Sequence, residues 1–223
     1  MFSVPSVARK KGDKMTSISS EIIEKTLASL KKHGLEALFF QARAEAKTEI
    51  LKRIPVQAKV GVGGSVTLRE IGLLDDLTRR GNLLFNHWQE GLSKEGRFEM
   101  GRRQQGADFF LTSTNALTQD GKLVNVDATG NRVTSMVFGP PKVIVVTGTN
   151  KIVKDLSEGL ERIKKVVAPR NCQRRKDPTP CAADGVCHDC NSPGRLCRIT
   201  TIIERKPFDT ELAVFLIGEE LGY

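Results

Sequence analysis

Aromatic side chains are scarce, making up 5% of the 223 residues with one Trp and one Tyr. Proteins that grip single-stranded nucleic acid stack bases on aromatic platforms. Here Phe39-Phe40 and Phe109-Phe110 sit inside apolar runs instead. The 35 Lys and Arg against 26 Asp and Glu, a formal +9, raise a nucleic-acid-binding module as a lesser alternative, which the missing aromatic platform disfavours against a solvated surface around an anionic ligand. Part of that excess is local: Arg9, Lys10, Lys11 and Lys14, less Asp13, contribute +3. Long apolar runs are lacking too. The best, Val143–Val146 and Ala213–Ile217, fall far short of the roughly 18 residues that a membrane span needs. The first residues, Met1 to Lys11, carry no apolar core of a secretory leader, so the expected setting is the cytoplasm, with reduced thiols. Histidine is confined to His33, His87 and His188, none at metalloprotease spacing, and Gly63-Gly64-Ser65 lacks the Gly-x-Ser-x-Gly nucleophile pattern.

What is present reads as strands alternating with helices. Ile23, Leu27 and Leu30 form one apolar stripe of a helix over 20–34, and Ala42 to Ile54 makes a second helix ending before Pro55. Strands are expected at 35–40, 58–62, 83–85, 109–111, 123–126, 143–147, 199–203 and 213–217. Leu68, Ile71 and Leu74 give one helix after the glycine loop; 94–105 and 155–167 give two more. Such alternation predicts an α/β domain with a largely parallel sheet flanked by helices. Residues 1–15 read as a disordered basic extension and 16–223 as the domain. Within it, residues 168–198 switch abruptly to Pro, Gly, Asp, Cys and Arg, a cysteine-rich loop insertion.

All five cysteines fall in that insertion, spaced Cys172-x8-Cys181-x5-Cys187-x2-Cys190-x6-Cys197, with His188 inside the central pair. Cys-x2-Cys lets two thiolates converge on one metal from a tight turn, and Gly185, Pro193 and Gly194 supply bends for the outer ligands. Free core thiols usually sit among aliphatics, whereas these sit among Asp, Asn, Pro and Arg. Structural zinc commonly shows two Cys-x2–4-Cys pairs; an irregular set around one pair fits a [4Fe-4S] cluster better, with zinc the alternative. Cys181, Cys187, Cys190 and Cys197 are the expected ligands and Cys172 the alternate. Arg174, Arg175, Arg195 and Arg198 would offset the negative charge of a thiolate-ligated cluster.

The second constellation is Gly61-Val62-Gly63-Gly64-Ser65-Val66-Thr67, between a strand and a helix. It is neither a dinucleotide fingerprint nor a P-loop; Gly63, Gly64, Ser65 and Thr67 instead form a compact turn able to present amides and hydroxyls to an anion. Thr112 to Ala116, with Asn115, and Asp127 to Arg132, with Asn131 and Arg132, follow two other strands. Ligand-contacting loops of open α/β sheets lie at such strand ends. Arg132 and Lys151 are charge partners for a carboxylate or phosphate. No catalytic set stands out, and Glu70 is the carboxylate best placed for acid–base work.

These segments together resemble the LUD-domain (lactate-utilisation) family over about Thr16 to Tyr223. The resemblance is carried by Gly63-Gly64-Ser65-Val66-Thr67-Leu68-Arg69-Glu70-Ile71-Gly72 and by Ala107 to Ala116. It continues through Gly130-Asn131-Arg132, Phe138-Gly139-Pro140 and Asn150-Lys151-Ile152-Val153. It implies a fold of the sugar-phosphate isomerase and CoA-transferase type and a role in converting L-lactate to pyruvate beside iron–sulfur partner subunits. The cysteine segment resembles that of one subgroup. The leading expectation is thus an iron–sulfur redox component, an oxidoreductase subunit, with a pocket for a small carboxylate or phosphate-bearing ligand. The alternative is a redox-inactive isomerase or transferase with structural zinc or free thiols.

Overall fold

The computed structural model describes residues 18–223; the expected basic extension over 1–15 lies outside them. Val143-Ile144-Val145-Val146 and Leu212 to Ile217 are continuous apolar runs, as befits strands covered on both faces. They become two adjacent interior strands of a parallel sheet.

In chain order the elements are α1 (Ser20–Lys32), β1 (Glu36–Phe40), α2 (Arg43–Arg53), β2 (Lys59–Val62), α3 (Val66–Glu70), α4 (Leu73–Arg79), β3 (Leu83–Asn86), α5 (Lys94–Gln105) and β4 (Phe109–Thr112). Then follow β5 (Ala116–Thr118), β6 (Leu123–Asp127), α6 (Asn131–Val137), β7 (Lys142–Gly148), β8 (Ile152–Val153), α7 (Leu156–Arg162), α8 (Ala168–Arg175), α9 (Pro180–Asp184), β9 (Ile199–Ile203) and β10 (Glu211–Ile217). Six strands form a parallel sheet in the order β1-β10-β7-β4-β2-β3. Ile144 and Val146 face one core with Ile50, Leu68, Leu77 and Phe215, beneath α2 to α4. Val143 and Val145 face the other with Leu30, Phe110, Met136 and Val214, beneath α1 and α6. The one-residue alternation along β7 sends neighbours to opposite cores.

Three features depart from the sequence expectation. The single helix after the glycine loop is two, because Gly72 at φ +65° turns the chain between α3 and α4. The helix expected to stop at 167 continues: α7 passes through a π turn at Ile163–Val167 into α8, which ends at Arg175. Pro169 falls just after that π turn, where the regular helical hydrogen-bond pattern is already interrupted. Last, the strands at 123–127 and 199–203 leave the main sheet. They build a second, four-stranded sheet in the order β8-β5-β6-β9, in which β6 pairs antiparallel with both β5 and β9.

Candidate functional site

Strand order places the site. From β2 the chain moves outward to β3, then returns across β2 to β4 and onward to β7. The carboxyl ends of β2 and β4 therefore meet where the winding reverses, the position at which open α/β sheets bind ligands. The glycine loop leaves β2 there, Ser113 to Asn115 leave β4, and a helical turn at Thr149–Lys151 leaves the adjacent β7. A cleft of about 670 Å³ opens over these ends. Gly64, Ser65, Thr67, Asn115, Asn131, Arg132 and Lys151, all singled out in the sequence, line it together with Ser113, His87, Trp88 and Tyr223.

Gly63 lies just behind the lining. A β-carbon on it would stand 2.8 Å from Thr112 Oγ1 and 3.0 Å from the Arg132 side chain, so only glycine lets β2 approach β4 and α6 this closely. Gly64 abuts Trp88 still more tightly. That indole is stacked between two guanidiniums, with Arg69 4.6 Å and Arg174 4.4 Å from the ring centroid. The Ser65 hydroxyl is spent as a helix cap, accepting from Leu68 N at 3.2 Å. Behind the loop, buried Gln104 donates to the carbonyls of Val62 at 2.8 Å and Phe85 at 3.1 Å, lies 2.9 Å from His87 Nδ1, and accepts from Asn131 Nδ2 at 3.2 Å. Burial holds the His87 imidazole below its ordinary pKa.

Arg132 looks from sequence like an arm for a ligand, but the structure spends it internally. It pairs with Asp127 at 2.8 Å. Its five N–H donors go to Asp127 Oδ1, Ser113 O, Asn125 Oδ1, Asn115 Oδ1 and Val126 O. Asn115 is likewise half-occupied: its side-chain oxygen also accepts from Val126 N at 2.8 Å. Arg132 is therefore a brace joining β4, β6 and α6. Glu70 lies outside the lining. Its carboxylate accepts from Gly222 N at 2.7 Å, pinning the Leu221–Tyr223 segment against α3, so it is not placed as an acid or base within the cleft.

Lys151 is the group at the cleft floor. It is 3% exposed, and its Nζ donates to Thr67 Oγ1 at 3.0 Å and Ser113 Oγ at 2.9 Å. Burial, reinforced by the positive charges of Arg162 and Arg132, pushes its pKa down to about 7; Glu70 pulls weakly the other way. Arg162, itself largely buried and lowered to about 10 by that burial and by Arg170, donates to the carbonyls of Asn115 and Asn150. Sequence patterning does not reveal Ser113, Gln104 or Asn125 as parts of this network. Ser113 alone had a signal, its place in the run Thr112 to Ala116.

All five cysteines line a second cavity, of about 270 Å³, with His188, Arg195 and Arg198. Cys172 and Cys181 are buried; Cys187, Cys190 and Cys197 are partly exposed. Burial raises the Cys172 thiol to about 11 and also raises Cys197. Arg195 ties the loop together, donating to the carbonyls of Cys190 and Cys197 and to Asp189. Of the other arginines expected here, Arg174 faces Trp88 and Arg175 pairs with Asp177 at 2.8 Å. Among the described residues, no group of three or more His, Cys, Asp or Glu side chains is arranged to hold a metal ion. The two cavities share a wall: Val126, Ala168, Leu196 and Cys197 line both.

Among the described residues no helix is long and apolar enough to cross a membrane. No curated protein matches the chain. Among solved structures it is similar to a DUF162 family protein from Deinococcus radiodurans, at 16% identity and a TM-score of 0.53, covering 89% of this chain and 97% of that one. That likeness shows the fold: an α/β domain built on a mostly parallel sheet. The model of the LUD domain matches residues 23–217, which span the glycine loop, the strand-end asparagines, Lys151 and the cysteine segment. The chain belongs to the LUD-domain family.

Proposed function

We propose that the protein is a redox component of the oxidation of lactate or a related 2-hydroxy acid. The acid sits at the floor of the larger cleft, and a thiolate-held [4Fe-4S] cluster occupies the cysteine cavity. The family's association with lactate utilisation supports the reaction class. The observation that carries the reading is the shared wall: Leu196 and Cys197 line both cavities, so the cleft that holds Lys151 and the cavity that holds the cysteines abut.

The donor set fits such a cluster in its chemistry. Five thiols surround one cavity, Arg195 and Arg198 supply compensating charge, and Arg195 already gathers the Cys190 to Cys197 loop. Cys187, Cys190 and Cys197 lie on residues 185–198, which lack helix and strand, and Cys181 lies in α9; these four would hold the cluster, with Cys172 the alternate. When bound, the cluster supplies a one-electron acceptor, and iron–sulfur partner subunits would carry electrons onward. The chain's own residues do the rest. Lys151, Thr67 and Ser113 bind the acid, Asn115 offers its amide nitrogen, and Tyr223 and Trp88 restrict water at the cleft wall.

The test is anaerobic purification followed by a visible spectrum and metal analysis. Broad absorbance in the visible with about four irons per chain is the expected result, lost when Cys187 and Cys190 are both replaced by Ser. One colourless zinc per chain would overturn the redox reading in favour of an isomerase- or transferase-type enzyme with a structural metal. Lactate and pyruvate titrated by calorimetry should bind, and binding should weaken in Lys151→Met.

A further inference from the structure

No carboxylate among the described residues pairs with the buried Lys151. Among the described residues its amine bonds only to two hydroxyls, Thr67 Oγ1 at 3.0 Å and Ser113 Oγ at 2.9 Å. Buried lysines that serve packing alone are usually paired with an acid, because an uncompensated ammonium is costly to desolvate. The surrounding charges make the cost greater. Among the described residues Arg162 donates only to carbonyl oxygens, those of Asn115 and Asn150, and Arg132, held by Asp127, adds a second positive charge nearby. Such a setting selects the neutral amine, which carries a nucleophilic lone pair. Gly222 packs against the amine from one side, where a β-carbon would stand 3.2 Å from Nζ and 2.6 Å from Thr67 Oγ1, and Lys151 lines the cleft on the other. The position is also right, directly after β7 on the floor of the cleft.

We propose that Lys151 is a nucleophile that condenses with the carbonyl of a 2-oxo acid to form an imine, with Ser113 and Thr67 shuttling protons. This rests on reading the cleft as a small-acid site and adds the class of compound and the covalent step. Nζ forms a bond to the carbonyl carbon, giving a carbinolamine. The carbon–oxygen bond then breaks, and the oxygen leaves as water with the two protons that the neutral amine gives up. No electrons are exchanged and no further reactant is consumed. The hydroxyls hydrogen-bonded to Nζ are positioned to pass the protons to the departing oxygen. The lowered pKa agrees with the geometry: burial leaves the amine a larger neutral fraction near neutral pH than an ordinary surface lysine has.

The experiment is reductive trapping. The full chain is incubated with pyruvate and sodium cyanoborohydride, digested and mapped by mass spectrometry. The expected result is a reduced pyruvyl adduct on Lys151 exceeding that on any other lysine by about tenfold or more, because the other lysines are held as ammonium near neutral pH. The adduct should require both reagents, diminish when lactate competes, and fade as the pH drops below the amine's pKa. Lys151→Arg should remove it, and mapping on the unaltered chain gives the answer even if that variant folds poorly. If calorimetry shows pyruvate binding while no adduct forms on Lys151, or adducts spread evenly over surface lysines, the nucleophile is refuted and the small-acid site stands. If neither lactate nor pyruvate binds and no adduct forms, the small-acid reading falls with it.

Discussion

Replacing Arg132 by Met distinguishes a brace from a ligand arm. In the folded chain the guanidinium fills five acceptors and pairs with Asp127, and both side chains are about nine-tenths buried, at 11% and 10% exposure. Met matches the aliphatic stem but leaves the Asp127 carboxylate in the interior with no cation, along with the side-chain oxygens of Asn115 and Asn125. Breaking one side of a buried pair costs about 3–5 kcal/mol, a large share of the roughly 5–15 kcal/mol that holds a domain together. For a chain of this size each kcal/mol lowers the melting temperature by about 2–4 °C, so Arg132→Met should melt roughly 6–20 °C early. Adding Asp127→Asn should recover part of the loss, because the orphaned charge is gone; the double variant should be less destabilised than the sum of the singles. Circular-dichroism melts of the four proteins measure this cycle, and calorimetry with lactate and pyruvate runs alongside. A variant that melts with the wild type but no longer binds either acid would refute the brace and return Arg132 to the ligand.

Four further outcomes are expected. Lys151 binds its proton more weakly in the folded chain than in the unfolded one, so from about pH 7 up to the ordinary lysine range the unfolded chain holds more protons. Stability of the wild type should therefore rise with pH relative to Lys151→Met, by at most about 1.4 kcal/mol per pH unit; parallel denaturation curves across that window would contradict it. Gly64→Ala drives a methyl into the Trp88 ring that Arg69 and Arg174 clamp, and should cost about 1–3 kcal/mol with a shifted tryptophan emission. Gln104→Leu keeps the volume but strands the carbonyls of Val62 and Phe85. It should lose about 1–3 kcal/mol in urea unfolding, and an unchanged midpoint would show that other donors reach those oxygens. On the proposed cluster reading, chelator treatment after anaerobic isolation should make Cys187, Cys190 and Cys197 newly reactive to iodoacetamide; equal labelling before and after would show that these thiols hold no metal.

The parallel sheet was legible because its centre obeys a simple rule. Val143 to Val146 and Ala213 to Ile217 are buried on both faces, and an uninterrupted apolar run is what such strands require. The second sheet was not legible: β5 has three residues and β8 two, too few for any period to show, and their pairing comes from partners distant in sequence. The cleft divides the same way. Glycines between a strand and a helix, and polar residues after strands, mark the rim. What each side chain does there depends on contacts that sequence spacing does not encode. Arg132 and Lys151 read alike as cations on loops. One is saturated by acceptors brought from β4 and β6, and the other is left with two hydroxyls because Thr67 lies 84 residues away in sequence and Gly222 closes over it.

The cysteine spacing shows the same limit in a form that bears on function. Five thiols within a short polar stretch are bound to share surroundings, and they do share a cavity. That this cavity abuts the anion cleft follows from a different fact. The helical rod from α7 to α8 persists past residue 167 through a π turn and carries Ala168 into the wall between the two, while β9 returns antiparallel to β6 and brings Leu196 and Cys197 to the opposite side of that wall. A helix ending at 167 would have left the cysteines on an appended loop, independent of the sheet. Its continuation puts Ala168, with Leu196 and Cys197, on the boundary of both cavities.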